Sequence, residues 1–354
     1  MLSKFDDKRA MFLHPNVVTI LATYRCTAAC TNCCMDSNPT LTERVSLDQI
    51  KCFIDEAFAI GSVRQVVFSG GECFLLGEDL DNAVSYASSL GFHTRCVTNG
   101  YWALSLDIGE KRIRRLKECG LNELNISTGD FHQQWVPQER VVNAALSGVR
   151  ADLDHTLIVV EITKTRRVSR ESLLSEERLK TLTTNTCHSN FGIIESPWMP
   201  MVFSERIEQP DHLFVNKDNL YERGPCDSIF NTIVLTPQAN VGLCCGLPRE
   251  KIPELNHKWR KGHLADDLSE ACSEFIKIWI SVDGPEKILA WAASKNGDIV
   301  WENLYAHSCH ACARVYTDKV VRDTILEHYN ERVDDVLLRY AMRLQQQRQQ
   351  GLSA

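Results

Sequence analysis

Residues 16–34, NVVTILATYRCTAACTNCC, place a strand-forming segment directly before a cluster of cysteines. The apolar part of this segment is continuous and rich in β-branched residues, which predicts a strand buried on both faces, as in a parallel sheet. The cysteines follow at positions Cys26, Cys30, Cys33 and Cys34. Thiolates at positions i, i+4 and i+7 of one loop can converge on one metal centre, because the loop wraps around it. We therefore expect a metal site where the first strand ends.

The chain from about residue 16 to residue 195 alternates short apolar runs with amphipathic stretches in regular order. Six such strand–helix units predict an α/β fold with a parallel sheet and right-handed crossovers, either a barrel or an open portion of one. In such sheets the chemistry sits where the strands end. The predicted strands are 16–24, 65–69, 93–98, 121–127, 155–163 and a short one near 191–196, and the predicted helices cover 47–60, 78–90, 107–119, 138–149 and 175–183.

The composition is that of an ordinary globular protein, with 354 residues and 44% hydrophobic content. The net charge is −7 and no basic run is longer than KTRR at 164–167, which argues against a nucleic-acid partner. No apolar stretch approaches the roughly 18 residues of a membrane helix, and the N-terminus lacks the apolar run of a secretory signal. We therefore expect a cytoplasmic protein without a membrane partner. In that reducing compartment its fifteen cysteines indicate metal or redox sites rather than disulfides.

Two kinds of metal site can be weighed for the first cysteine cluster. Structural zinc takes four closed ligands, usually in CxxC pairs, so three cysteines from one segment fit it poorly. An iron–sulfur cubane with three protein thiolates and one open iron fits better. The spacing Cys26-x3-Cys30-x2-Cys33 resembles the signature of radical S-adenosylmethionine (radical SAM) enzymes. The resemblance implies a partial TIM barrel of the (β/α)6 type and a [4Fe–4S] cluster whose open iron is chelated by SAM.

Motifs after the second and third predicted strands agree with this resemblance. FSGGE matches the family's glycine pair, Gly70 and Gly71, followed by Glu72, and in the family this stretch holds the amino group of SAM. Glycines allow a backbone to approach a ligand closely. The motif VTNG places Asn99 at the end of the next strand. The resemblance therefore implies that these four residues bind the cofactor.

The segment ISTGDFHQQWVPQER, residues 126–140, follows the fourth predicted strand. By resemblance, Ser127 contacts the ribose of SAM and Arg140 its carboxylate, the latter through charge-assisted hydrogen bonds. The residue before the third cysteine is often aromatic in the family, and here it is Asn32, so the adenine contacts stay unassigned. Three more side chains lie near the expected mouth of the barrel, where they contact substrate or pack behind the site: Cys34, Cys73 and His132.

The second half of the chain contains four further cysteines that can close a metal site, two of them in a CxxC motif. These predicted ligands are Cys226, Cys244, Cys309 and Cys312. A zinc ribbon is one interpretation. Within a radical SAM chain, the pattern resembles the Twitch subdomain, a shortened relative of SPASM, which holds one auxiliary [4Fe–4S] cluster. We therefore expect two clusters in all, with the auxiliary ligands supplied by a hairpin formed by NTIVLT and VGLCCG together with the distant CxxC motif.

The expected domains are a radical SAM partial TIM barrel at residues 14–200, a Twitch-like auxiliary domain at 201–318 and a C-terminal helix at 319–354. An apolar stripe that includes Val321, Ile325 and Val336 predicts one long terminal helix that packs on its own domain or forms a dimer contact.

Local stretches, among them LCCG, resemble radical SAM peptide epimerases, in which the second thiol of such a pair gives a hydrogen atom to the substrate radical. Cys245 is thus a candidate catalytic residue, and a buried structural thiol is the alternative. We expect modification of a ribosomally made peptide, by epimerisation or by crosslinking. The alternatives are dehydrogenation of a small metabolite such as an aminocyclitol and a non-enzymatic Fe–S or zinc module. The implied partners are an electron donor such as a flavodoxin or ferredoxin and a separate peptide-recognition protein.

Overall fold

The computed structural model describes residues 14–184, 190–199, 208–244, 252–271 and 274–351. Six parallel strands lie side by side in the order in which they occur along the chain. Each strand is hydrogen-bonded in parallel to the next, which confirms the predicted α/β architecture of a partial TIM barrel. The strands are β1 (Val17–Leu21), β2 (Gln65–Ser69), β3 (His93–Thr98), β4 (Glu123–Thr128), β5 (His155–Ile162) and β6 (Phe191–Pro197).

Helices connect these strands and cover the outside of the sheet. The first helix begins at a capping box between Ser46 and Gln49 and ends at Gly61, whose φ of 79° is left-handed. The helix expected at 175–183 is present at Glu177–Thr184, and a further short helix at Arg170–Leu174, which the sequence did not indicate, precedes it. The helices of this part are α1 (Leu47–Ile60), α2 (Glu78–Ser89), α3 (Leu106–Glu118), α4 (Gln138–Arg150), α5 (Arg170–Leu174) and α6 (Glu177–Thr184).

Three further strands extend the same sheet beyond β1. The predicted hairpin is present as β7 (Thr232–Leu235) and β8 (Asn240–Gly242), which are antiparallel. β7 also pairs in parallel with β1, and β9 (Asn256–Lys258) adds to β8. The sequence did not indicate either of these pairings, because β9 is only three residues long and the four apolar residues of β7 are equally compatible with an isolated hairpin.

The C-terminal part is helical, with α7 (Leu264–Ala271), α8 (Phe275–Asp283), α9 (Pro285–Lys295), α10 (Ser308–Thr317), α11 (Lys319–His328) and α12 (Asn330–Gly351). The expectation of one long terminal helix was wrong, because the chain forms α11 and α12, joined at Tyr329. The Arg332 amide donates to the Tyr329 carbonyl three residues earlier, a tighter turn than an α-helix makes. The predicted apolar stripe is buried against the same chain at Val321, Ile325 and Val336.

The C-terminal part is fixed to the barrel at helix α1. Glu56 of α1 accepts hydrogen bonds from the Trp259 indole at 3.2 Å, the Gly262 amide at 2.9 Å and the Leu264 amide at 2.8 Å. The Trp259 ring also packs edge-to-face on Phe53, with the ring centres 5.3 Å apart. One carboxylate and one aromatic pair thus add to the pairing of β7 with β1 in joining the two parts. No helix in the described ranges combines the length and apolarity needed to cross a membrane.

Candidate active site

A cavity of about 180 Å³ lies at the carboxyl ends of the first strands, where the sequence places the site. The three cysteines of the predicted motif line it together, although they are spread over eight residues of one loop. The structure also brings the ends of β2, β3 and β4 to the same cavity. Among its lining residues are Cys26, Cys30, Cys33, Cys34, Gly70, Gly71, Asn99, Ser127, His132 and Trp198.

The cysteine loop is held by two tight turns. The Cys33 amide donates to the Cys30 carbonyl at 3.2 Å, and the Asp36 amide donates to the Cys33 carbonyl at 2.9 Å. Between the cysteines, Asn32 adopts a φ of 61°. Asparagine tolerates this left-handed conformation better than other residues with a Cβ, glycine aside. The backbone of this turn therefore gives a reason for Asn32 that does not depend on contact with a cofactor.

Cys26 is the most enclosed thiol of the loop, with 8% of its surface exposed. Its Sγ accepts hydrogen bonds from the Ala28 amide at 3.4 Å and from the Asn99 side chain at 3.5 Å. Burial raises the pKa of Cys26 to about 11 and that of Cys30 to about 12. A cationic centre is therefore required to hold these groups as thiolates, and three cysteines around one cavity are the donor set of an iron–sulfur cluster. The residues present fit such a group.

The glycine pair after β2 lies against the start of the cysteine loop. The Gly71 amide donates to the Thr23 carbonyl at 2.6 Å. A Cβ on Gly70 would lie 2.5 Å from that carbonyl oxygen, and a Cβ on Gly71 would overlap the Arg25 carbonyl and lie 2.7 Å from the Tyr24 oxygen. The pair is thus required for contact between two backbone segments, in addition to lining the cavity.

Glu72 is completely buried and does not line the cavity. Its carboxylate accepts hydrogen bonds from the Phe74 amide at 3.1 Å, the Thr98 hydroxyl at 2.8 Å and the Asn99 amide at 2.8 Å. Burial raises the pKa of Glu72 to about 7. In this arrangement Glu72 joins the end of β2 to the end of β3, and so positions Asn99 beside Cys26.

The remaining predicted SAM contacts divide into two groups. Asn99 and Ser127 line the cavity, and the Asn99 side chain also donates to the Thr27 hydroxyl at 3.1 Å. Arg140 is not among the lining residues, and its guanidinium donates to the Tyr101 carbonyl at 2.9 Å. Its contact with a carboxylate of SAM stays a prediction.

The other three side chains expected near the mouth also differ in position. Cys34 and His132 line the cavity. Cys73 is fully buried, and its thiol donates to the Val97 carbonyl at 3.3 Å. Cys73 therefore packs behind the site rather than in it.

Two residues of the site escaped the sequence analysis, Glu161 and Trp198. Glu161 lies near the end of β5 and binds the ring of His132 through Oε2, at 2.5 Å from Nδ1. Trp198 follows β6 and packs edge-to-face on the same ring, with centres 5.5 Å apart. A single acidic residue inside the apolar strand HTLIVVEI was the available signal for Glu161. No sequence signal marked Trp198 as a site residue, because an aromatic residue after a strand is commonly part of the hydrophobic core.

The four cysteines of the second half also meet at one cavity, of about 30 Å³. Cys226 precedes β7, Cys244 follows β8, and Cys309 and Cys312 lie on α10, so three separate segments of the chain supply them. Burial raises the pKa of Cys312 well above its usual value. Across the described residues, no three His, Cys, Asp or Glu side chains are gathered so as to hold a single metal ion.

The two cysteine cavities lie at opposite ends of β1. The Asn16 and Val17 amides donate to the Asn231 carbonyl, so the residue before β7 is level with the start of β1. The Phe230 amide then donates to the Leu243 carbonyl, which places the end of the hairpin at that same level. Cys26 follows the other end of β1. The candidate donor Cys245 lies outside the described residues.

A further cavity of about 520 Å³ lies elsewhere and is lined by none of the predicted site residues. It lies beside β9, α10 and α11, and Tyr316 forms part of its wall one helical turn after Cys312.

Comparison with known proteins gives one family match. Residues 20–165 match the model of the Radical SAM superfamily. The curated protein named "Putative peptide biosynthesis protein YydG", from Bacillus subtilis (strain 168), is 25% identical over 131 residues. That alignment spans 37% of this chain and 41% of the relative, so the chain matches about two fifths of the relative's length.

Two solved structures resemble the chain at low identity. The first, anSMEcpe with bound AdoMet and Cp18Cys peptide, is 13% identical, with coverage of 91% of this chain and 99% of the other and a TM-score of 0.49. The second, BtrN in complex with AdoMet and 2-DOIA, is 12% identical, with coverage of 77% and 89% and a TM-score of 0.46. The family match at residues 20–165 includes the cysteine loop, the glycine pair and the turn after β4.

Proposed function

We propose that this chain is a radical SAM enzyme whose catalytic [4Fe–4S] cluster is held by Cys26, Cys30 and Cys33. One observation carries the proposal: the three thiols of the CxxxCxxC motif line one cavity at the carboxyl ends of parallel strands, within the segment that matches the family. When bound and reduced, the cluster and SAM supply a 5′-deoxyadenosyl radical, which takes a hydrogen atom from an unactivated carbon. The protein binds and orients the reactants and excludes water.

The chain's own residues provide these functions around the cavity. The Ala28 amide and the Asn99 side chain donate to the sulfur of Cys26, and hydrogen bonds to sulfur tune the potential of such clusters. Gly70 and Gly71 bring the backbone of β2 onto the same loop. The ring of Trp198 closes another part of the wall, where it also donates to the Thr31 carbonyl at 3.2 Å.

We further propose an auxiliary [4Fe–4S] cluster on Cys226, Cys244, Cys309 and Cys312. The support is that the four cysteines come from three separate segments of the chain and line one cavity. A zinc ion is the alternative for these ligands. Iron analysis of the anaerobically reconstituted protein separates the two, since two clusters require about eight iron atoms per chain and one cluster with zinc requires about four. A measured value near four, with one zinc, would overturn the second cluster.

For the substrate we propose a ribosomally made peptide, supported by the similarity to YydG, a protein named for peptide biosynthesis. Epimerisation, with Cys245 as hydrogen-atom donor, and oxidative crosslinking are the two reaction types, and dehydrogenation of a small metabolite is the second candidate. The proposed electron donor is a flavodoxin or a ferredoxin, in the cytoplasm. A non-enzymatic Fe–S or zinc module is the remaining alternative, and SAM cleavage distinguishes it from an enzyme.

The test is anaerobic turnover of the reconstituted protein with SAM and dithionite, measuring 5′-deoxyadenosine. We expect the product from the wild-type protein, none from Cys30→Ala, and wild-type amounts from Cys119→Ala, a control thiol at the end of α3. Absence of product from the wild-type protein would overturn the proposal. A second experiment in D2O, with a peptide encoded beside the gene, separates the reaction types: one deuterium gained at an α-carbon means epimerisation, and two hydrogens lost means oxidation.

A further inference from the structure

The imidazole of His132 lies on the wall of the cluster cavity with one edge fixed by protein. We propose that His132 binds SAM, its Nε2 atom accepting a hydrogen bond from a hydroxyl of the ribose. The inference rests on the proposed SAM chemistry of this cavity and adds a contact that the cysteine motif and the glycine pair do not indicate.

Glu161 determines which ring nitrogen faces the cavity. Its side chain is 2% exposed and does not line the cavity, whereas that of His132 is 15% exposed and does. Oε2 of Glu161 lies 2.5 Å from Nδ1, so the Nδ1 edge points away from the cavity. Within the described residues, Nδ1 is the only ring atom of His132 that makes a hydrogen bond. The Nε2 edge is therefore the one available to a bound molecule.

The hydrogen bonds of Glu161 also fix the tautomer of the ring. Oε1 of Glu161 accepts hydrogen bonds from the backbone amides of Phe131 and His132. Because a backbone amide N–H can only donate, these two bonds fix the orientation of the carboxylate. A Cβ on Gly129 would overlap the Glu161 side chain, so the chain turns directly over the carboxylate. With Oε2 accepting from Nδ1–H, the neutral ring carries its lone pair on Nε2. His132 is thus an acceptor toward the cavity.

The ring is also held in a fixed position relative to the cysteine loop. Trp198 packs edge-to-face on it, with an angle of 84° between the rings, and the Trp198 indole donates to the Thr31 carbonyl, between Cys30 and Cys33. A molecule bound beside that loop in a cavity of about 180 Å³ contacts the wall that His132 forms.

The side chains at the end of β4 and on the turn after it favour a diol as the ligand group. Ser127, the penultimate residue of β4, and His132, on the turn that follows, both line the cavity and are five residues apart in the sequence. The Ser127 hydroxyl can donate or accept, and the Nε2 atom accepts. Two adjacent hydroxyls satisfy such a pair, and the ribose is the part of SAM that carries them. A hydrogen bond from the peptide substrate to His132 is the competing assignment, and it is an outcome of the test.

The experiment measures SAM binding without reductant, so that no turnover occurs, by anaerobic calorimetry on the cluster-loaded protein. The ligands are SAM, 2′-deoxy-SAM and 3′-deoxy-SAM. A neutral hydrogen bond corresponds to roughly a 3- to 10-fold change in affinity. We expect the wild-type protein to bind one of the deoxy analogues about 3- to 10-fold more weakly than SAM. We expect His132→Asn to bind SAM more weakly than the wild-type protein by the same factor, and to bind that analogue no more weakly than it binds SAM. Asparagine reaches Glu161 but not the position of Nε2.

Two further variants separate contact from structure. His132→Gln extends its amide oxygen toward the position of Nε2, and we expect it to recover part of the affinity. His155→Asn, at the exposed start of β5, serves as the control and should bind like the wild-type protein. Equal iron content and cluster absorbance in all proteins exclude loss of the cluster as the cause.

The outcomes distinguish failure of the contact between His132 and the ribose from failure of the proposed function. If the wild-type protein binds both deoxy analogues as tightly as SAM, the contact with ribose is refuted whatever the variants do. If His132→Asn binds SAM normally, the contact is refuted and a role toward the peptide substrate takes its place. Failure of the wild-type protein to bind and cleave SAM would instead refute the proposed function itself.

Discussion

Replacing Gly71 with alanine tests whether the glycine pair is required for backbone contact with the cysteine loop. The added Cβ would overlap the Arg25 carbonyl and lie 2.7 Å from the Tyr24 oxygen. Neither atom is at the end of a flexible side chain, so the loop itself must move by about 1 Å to restore ordinary van der Waals separation. The substitution therefore displaces the segment that leads into Cys26.

The expected magnitude follows from the contacts that such a shift breaks. The hydrogen bonds from Gly71 to Thr23 and from Glu72 to Arg25 are each worth about 1 kcal/mol. Overpacking against rigid neighbours adds about 1–3 kcal/mol. With an unfolding entropy of about 2.1 cal/mol/K per residue over 354 residues, a loss of about 3–5 kcal/mol lowers the melting temperature by roughly 4–7 °C.

The assay is anaerobic thermal unfolding together with iron content after reconstitution. Gly297→Ala is the matched control, because a Cβ there has no atom within 4 Å. We expect Gly297→Ala to melt within about 2 °C of the wild-type protein, in line with small surface effects. If Gly71→Ala melts with the control and takes up full iron, the close backbone approach does not matter and the reasoning fails.

Three further predictions concern turns and carboxylates. Asn32→Gly should keep wild-type iron content because the left-handed φ of 61° suits glycine, whereas Asn32→Val should lose iron; equal iron in both would contradict the account of the turn. Glu56→Ala should lower the melting temperature by several degrees, since the three hydrogen bonds to the segment after β9 are lost, and an unchanged melt would remove Glu56 as a link between the two parts. Although burial alone would raise the pKa of Asp283, hydrogen bonds from Arg339 and Trp279 lower it below its usual value. Its stabilising effect is therefore present above the ordinary pKa of about 3.8 and lost as pH falls through the lower folded value, so the melting temperatures of the wild-type protein and Asp283→Asn should converge as the pH is lowered from 7 toward 3.

The sequence predicts the parts of the fold that repeat and misses those that depend on single distant contacts. The strands of the barrel have long apolar runs and regular spacing, so β2 and β3 are found with their observed bounds. The pairing of β7 with β1 joins residues more than 200 positions apart, and nothing in four apolar residues specifies that partner. Tyr329 interrupts the terminal helix without a proline or glycine to mark the place.

The same distinction applies to the candidate site. Cys26, Cys30 and Cys33 are adjacent in sequence, so their spacing predicts that they meet, and they do line one cavity. Glu161 and His132 are 29 residues apart, on different strand ends, and meet because β4 and β5 are neighbours. The sequence signal for this pair is an acidic residue, Glu161, near the end of one strand and a histidine on the turn after the neighbouring strand.

The separation of the two cysteine sites bears on which chemistry they can share. β1 contains five residues, and at about 3.3 Å per residue its ends lie roughly 13 Å apart. Hydrogen-atom transfer requires the reacting atoms to be in contact, within about 3–3.5 Å. Cys244, one of the thiols of the second cavity, lies level with the start of β1. These thiols are therefore too far away to give a hydrogen atom to a carbon in the first cavity. An electron, in contrast, can cross that distance. A cluster at the second site consequently suits removal of an electron from a substrate radical, and epimerisation requires a donor that reaches the first cavity directly.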